Sequence, residues 1–157
     1  MIVFLDFDGV LNSARYFLET PSAATAAYHG RLVLDPMATR RLAHLIDSSG
    51  ARVVISSDWR KGRPLAYLCD CLARAGFRGA QGKVIGVTPN HGLAPRGGEI
   101  REWLRKRATH APYVVLDDRN DMAAVRRGHV WVNPLYGLLD HHIRRAMVLL
   151  GGMVSNG

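Results

Sequence analysis

Cysteine is nearly missing from this sequence, with two residues in 157, Cys69 and Cys71. That scarcity excludes a disulfide framework, and the C-x-C spacing in "PLAYLCDCLARAG" suits neither a zinc site nor a C-x-x-C redox motif. The segment reads as a helix that turns the two thiols to nearly opposite sides, where both are expected buried and free. Long apolar runs are missing as well. The first one, Ile2 to Leu5, is broken by Asp6 and Asp8, too soon for a signal peptide or a membrane span. A cytoplasmic protein with no membrane partner is therefore expected. Repeats and low-complexity tracts are absent, which leaves one domain over residues 1–157.

Acidic side chains are also in short supply, 13 against 21 Lys and Arg, for a formal net charge of +8. Such a balance points to an anionic partner, either nucleic acid or a phosphorylated small molecule. The few acids are not scattered. Asp6, Asp8, Asp58, Asp117, Asp118 and Asp121 all follow short apolar runs, and without these six the chain would carry +14, from 21 − 7.

Those runs are "IVFLD" (2–6), "ARVVIS" (51–56), "PYVVLD" (112–117) and "HVWVN" (129–133), with "KVIGVT" (83–88) as a fifth, edge strand. They are continuous rather than alternating, as strands buried on both faces of a parallel sheet require. Helical patterns lie between them. The clearest is "DPMATRRLAHLIDSSG", with Asp35 as N-cap, Pro36 at the first helical position and Gly50 at the end. Others start at Pro64, run over 97–108 and over 138–152. The order predicts an α/β, doubly wound, mainly parallel five-stranded sheet whose ligands meet the carboxyl ends of the strands. Residues 13–34 interrupt this rhythm, either as a small cap or lid over the site or as a plain surface excursion.

"DFDGV" places Asp6 and Asp8 two residues apart in extended backbone, facing one cleft, with Phe7 turned to the core. Gly9 lets the chain bend and brings backbone N–H groups near an anion. Two adjacent carboxylates repel unless one keeps its proton or a cation stabilises both, and Mg²⁺ meets that need beside a phosphate. "VVLDDRND" supplies Asp117 and Asp118 from a second strand.

Together, "DFDGV", "VVIS" ending in Ser56, Arg96 in "PRGGEIREWL" and "VVLDD" resemble the four motifs of the haloacid dehalogenase (HAD) superfamily, in order. More narrowly, "LDFDGVLN", "ISSDWR", "RGGEIREWL" and "LDD" resemble the small HAD domains of Swiss Army Knife RNA repair proteins. The resemblance implies a Mg²⁺-dependent phosphatase in which Asp6 is the nucleophile and Asp8 the proton shuttle. It implies Ser56 and Arg96 on the transferring phosphoryl group, with Lys83 as the alternative base. The metal would rest on Asp6, Asp8 through its backbone carbonyl, Asp117 and Asp118. Gly9, Ser57 and Arg60 are the expected substrate contacts. Arg60 would meet a second phosphate, or else form a structural ion pair, with Asp58 orienting it. Asp121 is expected either behind the metal or as the N-cap of "DMAAVRR". Trp59, Trp103 and Trp131 are expected in the core, and His141-His142 at a surface or helix end. The expected substrate is a nucleotide or a nucleic-acid terminal phosphate, with a small metabolite ester as competitor. A non-catalytic nucleic-acid-binding module on the same scaffold is a further alternative. A receiver-like switch domain is disfavoured by Asp8, since it needs no proton-shuttling acid two residues after the phosphorylated one.

Overall fold

The computed structural model describes residues 1–107 and 110–151. Five parallel strands form one sheet: β1 (Ile2–Leu5), β2 (Arg52–Ile55), β3 (Val84–Val87), β4 (Tyr113–Asp117) and β5 (His129–Trp131), in the order β3-β2-β1-β4-β5. The order reverses at β1, so the crevice at its carboxyl end is the switch point of an α/β sheet. β3 takes the edge position expected of "KVIGVT". The expected helix ends at Ala108 and Gly152 lie outside the described residues.

Side chains on a strand alternate between its two faces, and here both faces are covered. On one, Val3, Leu5, Val53, Ile55, Val114 and Leu116 pack under α3 (Pro36–Ser49), α4 (Leu65–Arg74) and α7 (Asp140–Leu149). On the other, Phe4, Val54 and Val115 pack under α6 (Arg96–Lys106) through Ile100 and Trp103. Phe4 sits edge-on to Trp103, with ring centroids 5.5 Å apart, and truncation of such a buried ring to alanine costs about 3–5 kcal/mol. Cys69 and Cys71 are both buried and free in α4, and both belong to the larger core rather than to separate surroundings.

The punctuation expected for α3 is present. Asp35 Oδ1 accepts the Met37 N–H at 2.8 Å, Pro36 opens the helix, and Gly50 closes it at φ +67° with its N–H on the Ile46 carbonyl. Residues 13–34 fold as two short helices, α1 (Ala14–Glu19) and α2 (Pro21–Tyr28), which bury little beyond Ala23. The ends of this excursion are tied together beside Asp8, because Asn12 Nδ2 donates to both Asp8 Oδ1 and the Val33 carbonyl. A last short helix, α5 (Ala80–Lys83), leads into β3. No helix among the described residues is long and apolar enough to cross a membrane.

Candidate active site

Strand register builds the site. Leu5 pairs with Ile55 on one side and Leu116 on the other, so the next residues, Asp6, Ser56 and Asp117, stand in one row at the carboxyl ends of three central strands. By alternation all three face the α6 side of the sheet, following Phe4, Val54 and Val115. Arg96, the first residue of α6, meets them there. Its Nη1 donates to Asp6 Oδ2 at 2.5 Å and to Asp117 Oδ2 at 2.8 Å, with all three side chains buried. Lys83 is not part of this site: it pairs with Asp47 at the opposite, amino-terminal end of β3. Arg96 is the basic residue of the carboxylate row.

Asp118 joins the row from the loop after β4. Carboxylate oxygens of Asp6, Asp117 and Asp118 lie within 4.8 Å of one another. Burial and the charge of Asp117 push Asp6 up to about 6, despite Arg96. Burial likewise raises Asp117 and Asp118, the latter helped by the charge of Asp6. Three ionised carboxylates, two of them buried and Asp118 half-buried, carry −3 and Arg96 returns +1, leaving −2 in an all-oxygen cluster. A hard divalent cation fits that donor set and that charge.

Gly9 makes the close approach of Asp118 possible. It sits at φ +75°, and a Cβ there would fall 2.6 Å from Asp118 Oδ2. Its own N–H donates to Asn12 Oδ1 at 3.0 Å. The residue acts through its missing side chain.

Asp8 does not join the buried cluster through its carboxylate. That side chain is exposed and held from both ends: Asn12 Nδ2 donates to Oδ1 at 3.0 Å and Trp59 Nε1 to Oδ2 at 2.7 Å. Neither partner was singled out from the sequence as touching Asp8. Asn12 carried a signal, four residues on in the same turn, whereas Trp59 is 51 positions away.

The two serines after β2 divide the work. Ser57 hydrogen-bonds the Asp6 carboxyl and also accepts the Trp59 N–H. Ser56 Oγ, in the row beside Asp6, is fully buried and has no hydrogen-bond partner among the described residues.

Of the two roles expected of Arg60, the structure shows the structural ion pair, with Glu99, in place of the substrate contact. Its five N–H groups are all used, on the carbonyls of Thr88, Ser56, Ser57 and Pro89 and on Glu99 Oε2 at 2.6 Å. Buried among these acceptors, it clamps the ends of β2 and β3 to α6 and has no donor left for a phosphate. Asp58 lies 3.6 Å from Arg60 but also 3.4 Å from Arg96 and 2.8 Å from Lys61. The Lys61 bond and these cations hold its carboxyl below the usual range, although burial acts the other way.

Asp121 is not the N-cap of the following turn, where Met122 stands; it lies behind the carboxylate row, holding Arg96. Its Oδ2 accepts the Arg96 N–H at 2.9 Å and its carbonyl accepts Gly97 N–H, which fixes the start of α6. Gly97 is needed there, since a Cβ would lie 2.9 Å from that carbonyl. Of the three tryptophans only Trp103 is buried; Trp131 is half exposed and donates to the Asp118 carbonyl at 2.8 Å. His142 is a helix-end residue, accepting the Leu139 N–H on Nδ1.

No curated protein and no solved structure gives a significant match to the chain. A family model does: the one described as the HAD domain in Swiss Army Knife RNA repair proteins matches residues 2–143. That span takes in every strand and the whole row of aspartates, and the chain belongs to this family of HAD domains.

Proposed function

We propose that this chain is a Mg²⁺-dependent phosphomonoesterase acting on nucleotide or nucleic-acid terminal phosphates through an aspartyl-phosphate on Asp6. The observation that carries the reading is the cluster of buried Asp6 and Asp117 with half-buried Asp118 beside a single guanidinium, short of balance by two positive charges. Asp6, Asp117, Asp118 and the Asp8 carbonyl would hold the ion, which when bound would offset the charge of this cluster and polarise the phosphoryl oxygens.

An ionised Asp6 oxygen attacks phosphorus, and the bond from phosphorus to the leaving oxygen breaks as Asp8 gives that oxygen its proton. Asp8, now a carboxylate, takes a proton from water. The water oxygen attacks phosphorus, the bond to Asp6 breaks, and inorganic phosphate leaves with Asp8 protonated again. Asp8 suits this work because it is exposed to both leaving group and water while Asn12 and Trp59 fix its orientation. Arg96 offers a fixed cation to the phosphoryl oxygens. Ser56 Oγ, buried without a partner, would gain one from the phosphoryl group; leaving such a hydroxyl unpaired costs about 1–3 kcal/mol. The substrate class draws on the net charge of +8 and on the RNA repair proteins named in the family's description.

The test is phosphate release from nucleotides, from 5′- and 3′-phosphorylated oligonucleotides and from sugar phosphates, each with Mg²⁺ and with EDTA. Release by wild type only with the metal, abolished in Asp6→Asn and Asp8→Asn, supports the class, and the fastest substrate identifies its kind. Release that persists in EDTA or in Asp6→Asn refutes it.

A further inference from the structure

A cleft of about 240 Å³ is lined by Asp8, Asp58, Trp59 and Arg63, with the proposed proton donor in its wall. On the phosphatase reading, the group attached to the oxygen that Asp8 protonates departs beside this cleft. Arg63 is exposed, and its guanidinium carbon lies 4.3 Å above the Trp59 ring, a cation–π contact that holds the charge over the cleft. Trp59 in turn is fixed by its own N–H on Asp8. Arg63 has no ion-pair partner among the described residues, unlike Arg60, whose donors are all occupied.

We infer that Trp59 and Arg63 form a leaving-group subsite that binds a second phosphate on the substrate, one phosphodiester or phosphomonoester away from the group being removed. The subsite rests on the phosphatase reading, because Asp8 is what locates the leaving group. It assigns to Arg63 the second-phosphate contact that the sequence suggested for Arg60. An adenine or guanine base is not required by this chemistry; a second anion within reach of the guanidinium is. A nucleic-acid strand supplies one as its next phosphodiester, and a sugar bisphosphate supplies one as an ester.

The experiment compares kcat/KM of wild type, Arg63→Gln and Arg63→Lys on three probes: a 5′-phosphorylated dinucleotide, a hexose bisphosphate and 4-nitrophenyl phosphate. The expected result is that the ratio of kcat/KM on a doubly anionic probe to that on 4-nitrophenyl phosphate falls about tenfold in Arg63→Gln, the size of one lost charge-assisted hydrogen bond. Arg63→Lys should recover part of it. The wild-type ratio should also fall with added salt while that of Arg63→Gln stays flat. The dinucleotide and hexose arms decide which source of the second phosphate the subsite prefers. Equal ratios in wild type and Arg63→Gln for both doubly anionic probes overturn the subsite and leave the phosphatase reading standing. No metal-dependent release from any probe by wild type overturns both.

Discussion

One nitrogen of Arg96 bridges two aspartates 111 positions apart in sequence, Asp6 at 2.5 Å and Asp117 at 2.8 Å. The bridge exists because strand register levels the two acids and α6 begins over their row. Removing the guanidinium leaves buried carboxylates facing each other. Arg96→Met is expected to cost about 3–5 kcal/mol of stability in urea unfolding, as for other broken buried pairs. Phosphate release should fall by about 10²–10³-fold with the loss of a preorganised donor. Full activity in a stable Arg96→Met protein would contradict its role.

Gly9 offers a sharper steric test. Gly9→Ala must adopt φ +75° and place a methyl group 2.6 Å from Asp118 Oδ2. The backbone strain alone is about 1–2 kcal/mol, and displacement of Asp118 should weaken magnesium binding. Calorimetric titration with MgCl₂ beside a thermal melt separates the two effects. A variant that binds the ion like wild type would mean that Asp118 does not need its present position.

Trp59→Phe keeps a ring at the cleft and removes the N–H on Asp8. Misplacing a proton donor matters most when the leaving oxygen is strongly basic. Hydrolysis of an alkyl phosphate is therefore expected to slow by up to about 10²-fold, the low end of general-acid effects, and 4-nitrophenyl phosphate to slow much less. Equal slowing of both esters would assign the indole a packing role alone.

The architecture was largely legible in the sequence because each strand is a continuous apolar run and α3 carries a cap, a proline and a terminal glycine at its expected limits. The acids were legible too, since they end those runs. What escaped was direction. The turn Asp58–Arg60 is 3₁₀, and it sends Arg60 inward to five acceptors and Trp59 outward to Asp8, the reverse of what their polarity suggests. Likewise Ser56 and Ser57 are equivalent as letters, and the strand end decides which hydroxyl meets Asp6 and which is left unpaired.

The carboxylate row also sets a pH dependence. Burial and Asp117 raise Asp6 from its ordinary 3.8 to about 6, so the folded protein binds this proton more tightly than the unfolded chain. In metal-free buffer the stability due to Asp6 is present below about pH 4 and is lost as pH rises through 6. Magnesium competes with that proton, so the rise in melting temperature on adding MgCl₂ should be larger at pH 7 than at pH 5. The opposite order would place the ion elsewhere.

The central claim is that phosphorus becomes bonded to Asp6, and peptide mass spectrometry reads this directly. Asp8→Asn is incubated with 4-nitrophenyl phosphate and MgCl₂, since a good leaving group needs no proton donor while the water step still does, and the protein is quenched in acid and digested. The account predicts the mass of one phosphoryl group on the peptide containing Asp6, lost on adding EDTA and absent from a variant that also carries Asp6→Asn. Phosphoryl label on another residue, or turnover by Asp6→Asn at the wild-type rate, would contradict it.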